Sequence, residues 1–235
     1  TFIATAGAIV AAGARPVFVD CDERYQIDVT KIEAAISPNT AAIIPVHWAG
    51  ASPDLQNILE IANRHGIPIV EDACPSVGAT IDGRFAGTFG NVNAISMHPL
   101  KPLNVWGDGG IVVTNDDKAA EFLRLYQNHG LLDRDHVEIW GVNERLQPVQ
   151  AVVGNRLLDT IEDLVEARIR NAQLLDEGLR GLESHIHTPH RPENNREVYQ
   201  LYLATATHRN ELVEFLVTHE VEAKVHYPIP IHLQN

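Results

Sequence analysis

The sequence predicts an α/β fold built on a mainly parallel sheet with flanking helices. Two observations carry this. Short runs of buried-type apolar residues alternate with amphipathic segments of about 12 residues, the pattern of strands joined by crossover helices. The strand candidates, such as Ala41–Val46 and Ile67–Val70, are continuously apolar, as expected where both sheet faces are covered.

Taken in order, Thr5–Ala12 reads as the end of a buried helix and Pro16–Asp20 as a short strand. Asp28 is an N-cap candidate for a helix through Ile36, with Ile32, Ala35 and Ile36 on one face. Ala41–Val46 is the next strand. Ser52-Pro53-Asp54 opens a helix that runs to His65 and stops at Gly66. Ile67–Val70 is a strand that ends in Glu71-Asp72, and Asp82-Gly83 is a hairpin turn. Val92–Met97 and Ile111–Thr114 are strands on either side of a constrained loop. Asp116–His129 is a helix stopped by Gly130. Gln147 to about Glu183 reads as one long helix, with Leu157, Ile161, Leu164, Ile169 and Leu174 on its apolar side. Val198–Ala206, Asn210–Glu220 and Val221–His226 read as a β-α-β unit. The expected organisation is a large domain over 1–146, a connecting helix over 147–183, and the start of a smaller α+β domain over 184–235. Both ends lie in apolar material, so a piece of a longer chain is expected.

Composition narrows the function. The chain has 235 residues, 45% hydrophobic and 21% charged, with a formal net charge of −13 and no basic stripe, which argues against nucleic acid as a partner. No apolar run reaches the roughly 18 residues of a membrane span. Two cysteines, Cys21 and Cys74, make no disulfide framework and point to a reducing compartment such as the cytoplasm.

The chemistry concentrates in Asn91–Gly110, NVNAISMHPLKPLNVWGDGG. Lys101 stands between Pro99 and Pro102, which fix φ and exclude a helix. Its neighbours Leu100, Leu103, Val105 and Trp106 are apolar, a setting that suits Schiff-base chemistry, in which the amine attacks a carbonyl. From this loop alone, a snorkelling hairpin lysine fits as well. In parallel sheets ligands gather at the carboxyl ends of strands, where Asp72 lies and just past which Lys101 lies. A strand-end carboxylate facing a constrained lysine fits pyridoxal phosphate: the carboxylate keeps the pyridine nitrogen protonated and the lysine carries the cofactor. Ser96 could offer a hydroxyl to a phosphate. His47, His98 and His129 have no common metal spacing; His47 and His98 are candidates for lining a pocket, with packing and hydrogen bonding as the alternative.

In order, the chain carries TFIAT at 1–5, PVFVD at 16–20, IIPVH at 43–47, EDA at 71–73, GTFG at 87–90, S-x-x-x-x-K, GDGG, NHG at 128–130, GVNERLQPVQA at 141–151 and HYPIP at 226–230. Together these resemble the DegT-type family of PLP-dependent sugar aminotransferases, of the fold-type I (aspartate aminotransferase) class. The resemblance implies roles residue by residue. Lys101 matches the lysine that carries the cofactor and moves protons. Asp72 matches the partner of the pyridinium nitrogen, and Phe2 the aromatic on the ring face. Ser96 matches a phosphate contact, and Asn143 an asparagine that reaches the phosphate of the neighbouring subunit. His226 and His232 match the sugar-binding side. Two departures stand out: Pro75 occupies the position of a frequent glutamine, and the small-residue phosphate segment upstream of TFIAT is absent.

The implied function is transfer of an amino group from an amino acid such as L-glutamate to a keto sugar, expected to be nucleotide-linked, in a homodimer with shared active sites. A sugar dehydratase ranks second, because that branch typically replaces the lysine with histidine and Lys101 is present. A regulatory protein that keeps the fold without the chemistry is the reading from another class.

Overall fold

A computed structural model describes residues 1–234. The helices are α1 (Ile3–Ala11), α2 (Val29–Ala35), α3 (Leu55–His65), α4 (Asp117–Tyr126), α5 (Pro148–Leu158), α6 (Ile161–Gly178) and α7 (Arg209–Thr218). The strands are β1 (Val70–Asp72), β2 (Thr80–Ile81), β3 (Arg84–Phe85), β4 (Val92–Ser96), β5 (Gly110–Thr114), β6 (Ile186–His187), β7 (Asn195–Arg196) and β8 (Thr205–Ala206).

The central sheet has the order β1-β4-β5. β1 and β4 run parallel, with Asp72 opposite Ala94, while β5 pairs antiparallel to β4. On its other side β1 meets the 43–47 segment in parallel through bridges at Ile43–Ile69 and Val46–Asp72. The sheet is therefore mixed, with an antiparallel edge. Pro45 and Pro68 lack an N–H and thin the ladder here, which is why 43–47 forms bridges and no full strand. Pro45 O still accepts from Asp72 N at 2.9 Å, and His47 N donates to Asp72 O at 3.0 Å.

Local signals explain the covering helices. Asp28 caps α2 by accepting from Thr30 N, and Asp54 caps α3 by accepting from Asn57 N. α3 ends at Gly66, whose φ of 62° lies in the left-handed region that glycine reaches without a Cβ clash. Ile32 from α2 and Leu55, Ile58, Ile61 and Ala62 from α3 pack on Ile43 and Ile69 of the sheet. Each fully buried aliphatic side chain contributes about 1.5–3 kcal/mol of transfer free energy, so this layer anchors β1.

Several expectations are corrected. The first helix is not buried: among α1 residues only Ala6 is, and Ile3 and Val10 are exposed. Residues 16–20 form no strand, and Val17 and Phe18 face outward. α4 stops at Tyr126, before His129; positive φ at His129 (61°) and Gly130 (72°) turns the chain back so that His129 N donates to Val142 O. The 147–183 segment is two helices, broken at Asp159-Thr160. Both residues have side chains that compete for backbone partners, and Thr160 Oγ1 donates to Leu157 O. No strand forms over 221–226. β8 pairs instead with β6, antiparallel.

Candidate active site

β1 ends in two adjacent acids with opposite fates. Alternation along a strand sends neighbouring side chains to opposite faces. Glu71 points into the interior and is fully buried. It accepts from His47 Nε2 at 2.9 Å and from the Gly87, Phe89 and Gly90 amides at 2.8, 2.5 and 2.5 Å. His47 Nδ1 pairs with Ser52 Oγ at 2.9 Å. Burial pushes the Glu71 pKa up, but the His47 hydrogen bond and charge, with the Gly90 and Gly87 amides, outweigh it and hold the carboxyl below its ordinary value. His47 therefore lines no pocket. This Ser-His-Glu set has no solvent access, and it ties the GTFG segment to β1.

Asp72 faces the other way and is half-buried. Its Oδ2 accepts from Thr5 Oγ1 at 2.7 Å, and its Oδ1 from Cys74 N at 3.2 Å. Thr5 lies one turn along α1 from Phe2, the α1 N-cap, whose ring is 57% exposed and 6.1 Å from the Tyr227 ring. Trp48, just after His47, stands 5.5 Å from the same tyrosine ring and 6.1 Å from His226. Sequence reasoning misses Thr5 and Trp48, whereas His226 and Tyr227 belong to the HYPIP segment; the spacing of Thr5 from Phe2 on one helix face is the signal that finds Thr5.

β4 leaves the same carboxyl edge. Ser96 Oγ accepts from His98 N at 3.2 Å, and His98 O accepts from Lys101 N at 2.8 Å, which closes the turn. Lys101 is half-buried. Leu103 and Val105 beside it turn inward, whereas Leu100 and Trp106 are 74% and 79% exposed. Only half of the expected apolar surround is thus packed. Exposed His98 stands 3.9 Å from Asp108 on the same loop. The Cys74 thiol registers both principal residues: burial first, then the Asp72 charge, push its pKa up to about 12, while the Lys101 charge pulls against them. Pro75 is buried and offers no side-chain donor.

Phe2, Asp72, Ser96 and Lys101 thus share one edge of the sheet. Asn143 bridges to Asn128, is exposed, and its Oδ1 accepts from Arg145 Nε at 3.0 Å. It does not cap α5; Gln147 does, with Gln150 completing a reciprocal capping box.

A mixed α/β sheet that presents a lysine and a carboxylate at one carboxyl edge has the architecture of the fold-type I transferases. The chain belongs to the DegT/DnrJ/EryC1/StrS aminotransferase family, whose profile matches residues 1–235. It is 39% identical to the UDP-2-acetamido-2-deoxy-3-oxo-D-glucuronate aminotransferase of Pseudomonas aeruginosa, over 100% of this chain and 65% of that protein. It is 38% identical to a pleiotropic regulatory protein of Geobacillus stearothermophilus, over 100% of this chain and 63% of that one. Among solved structures, a DegT DnrJ EryC1 StrS aminotransferase from Brucella abortus superposes with a TM-score of 0.94 at 36% identity, over 100% of this chain and 64% of that one. The chain thus spans less than two thirds of the length of these relatives. No helix among the described residues is long and apolar enough to cross a membrane.

Proposed function

We propose that this chain carries active-site residues of a pyridoxal-phosphate-dependent aminotransferase that moves an amino group from an amino acid, L-glutamate first among them, to a nucleotide-linked keto sugar. The observation that carries this reading is the convergence of Asp72, at the carboxyl end of β1, and Lys101, on the loop just past the parallel strand β4, on one sheet edge.

The residues present fit the cofactor. Asp72, half-buried and oriented by Thr5, is a carboxylate suited to a protonated ring nitrogen. Phe2 offers an exposed aromatic face, Ser96 a hydroxyl for phosphate, and Lys101 the amine for the aldehyde. When bound, pyridoxal phosphate supplies an electron sink for charge developing at the donor's Cα. Asp72 keeps that sink electron-poor by holding the ring nitrogen's proton. Lys101 Nζ takes the Cα proton of the donor as general base and returns a proton as general acid. The loop prolines hold this amine where it can serve both steps.

We further propose a homodimer in which Asn143 of each subunit reaches the phosphate of the other site. The exposed loop with Asp133, Arg134, Asp135, His136 and Glu138, just before Asn143, supports this. The two free cysteines favour a reducing compartment, the cytoplasm. The regulatory role in the name of the Geobacillus relative favours a second reading, a regulator that retains the fold.

Visible absorption of the full-length protein, with and without L-glutamate, separates the two. A cofactor band that glutamate bleaches supports transamination, and a protein that stays colourless after added pyridoxal phosphate defeats it. Acceptor screening with keto sugars, free and nucleotide-linked, then tests the substrate; a clear preference for simple 2-oxo acids would exclude the sugar.

A further inference from the structure

Three polar groups of the backbone on the amino-terminal side of Lys101 are held. Lys101 N–H donates to His98 O at 2.8 Å. Leu100 N–H donates to His98 Nδ1 at 3.2 Å. The third group, Leu100 C=O, belongs to the peptide bond that leads into Lys101. It accepts from Gln200 Nε2 at 2.8 Å. The first two bonds are local to the turn. The third comes from a residue 100 positions away.

Gln200 is itself firmly placed. Val198 N donates to Gly50 O at 3.0 Å, and Leu201 N donates to Ala49 O at 3.2 Å, so 198–201 lies along the segment that follows His47 and Trp48. Arg168 Nη1 from α6 holds Tyr199 O at 2.9 Å. The approach is close enough to need glycine at 50: a Cβ there would stand 2.8 Å from Gln200 N, at a φ of +94°. The Gln200 side chain takes part in no wider network, since its Oε1 is buried and has no hydrogen-bond partner among the described residues. A carbonyl acceptor at Leu100 also fixes which end of the amide is Nε2. Its one directed polar contact is with the peptide bond next to the reactive lysine.

We propose that Gln200 is a positioning residue for Lys101: it locks the 100–101 peptide plane, and so ties the carboxyl-terminal part of the chain to the lysine loop. The assignment of the lysine chemistry rests on the function proposed above; the clamp itself does not. Gln200 touches no reacting atom and acts through Leu100.

Hydrogen exchange of the full-length protein, read on peptides over 98–105, tests the clamp. Gln200→Leu removes the donor and should speed exchange at Leu100 and Lys101 roughly five- to tenfold, as expected for one lost hydrogen bond, with β1 and β4 unchanged. Gln200→Glu keeps the length but cannot donate as a carboxylate. It should match Gln200→Leu at pH 8 and return towards wild type near pH 4.5, where a carboxyl is about half protonated, each rate taken against wild type at the same pH. A loss of packing alone would show no such pH return. Wild-type exchange in both variants, an equal rise across the whole sheet, or a pH-independent Gln200→Glu would each overturn the proposal. In parallel, borohydride trapping of added pyridoxal phosphate on Lys101, mapped by mass spectrometry, should slow by a similar factor in Gln200→Leu. If wild type is not labelled at Lys101 at all, the proposed function falls, while exchange still decides the clamp.

Discussion

Thr5 donates its hydroxyl to Asp72 Oδ2 at 2.7 Å, across 67 positions of sequence. The bond joins the helix that starts at Phe2 to the carboxyl end of β1. It orients a carboxylate that would otherwise rotate about its terminal torsion. Thr5→Val keeps the shape and removes the donor. Turnover by the full-length protein should fall by about tenfold or more, the worth of one hydrogen bond to a charged group, with little change in Tm. An unchanged rate would show that Asp72 holds its orientation without Thr5.

Asp72→Asn should be far more severe, because a neutral amide cannot balance a ring-nitrogen proton. A loss of at least about 100-fold in kcat, with the fold intact by circular dichroism, is expected. A change under about threefold would contradict the assignment of Asp72.

Lys101→Ala should remove both borohydride labelling and turnover while thermal stability stays near wild type, since Lys101 forms no ion pair among the described residues. Wild-type turnover in this variant would take Lys101 out of the mechanism.

Glu71 makes a pH prediction. Its pKa is lowered on folding, so its stabilising contribution is complete above the ordinary carboxylate value and is lost as pH falls through the lowered folded value. Glu71→Gln removes the carboxylate from a buried site where His47 and three backbone amides converge on it and should cost about 1–3 kcal/mol at pH 7. The gap in Tm between wild type and variant should narrow once pH drops below about 4.3. A gap that is constant from pH 7 to pH 3 would mean that the carboxylate charge is not what stabilises this site.

Asn143 can be placed by mixing subunits. Lys101→Ala and Asn143→Asp homodimers should each be weak or inactive. In a mixed dimer with shared sites, one site collects both defects and the other neither, so random pairing restores about a quarter of wild-type activity. Heterodimers verified by mass and devoid of activity would return Asn143 to its own subunit's site, or to none.

The sequence was legible where local chemistry decides. Asp28, Asp54 and Gly66 announce helix ends, and they hold in the structure. The positions of Asp72 at a strand end and of Lys101 on a proline-flanked loop were readable because both settings restrict where a side chain can go. What escaped depends on distant partners. Glu71 reads like any strand acid until His47 and three backbone amides converge on it. Gln200 carries no signal at all, since its partner is a main-chain oxygen 100 residues away. The break at Asp159-Thr160 was hidden by apolar residues that continue on both sides, and the missing strand at 221–226 by the absence of a partner edge for an apolar run.

The adjacent acids at the end of β1 have one more effect. If β1 slipped by a single position against β4, every side chain would change face. Asp72, one methylene shorter, would then be sealed against the His47 side with the 87–90 amides out of reach, and Glu71 would be thrust into the ligand edge. Both errors leave charges or amides unpaired, so the mispaired sheet is penalised twice over. The two adjacent carboxylates thus disfavour a slipped register of β1.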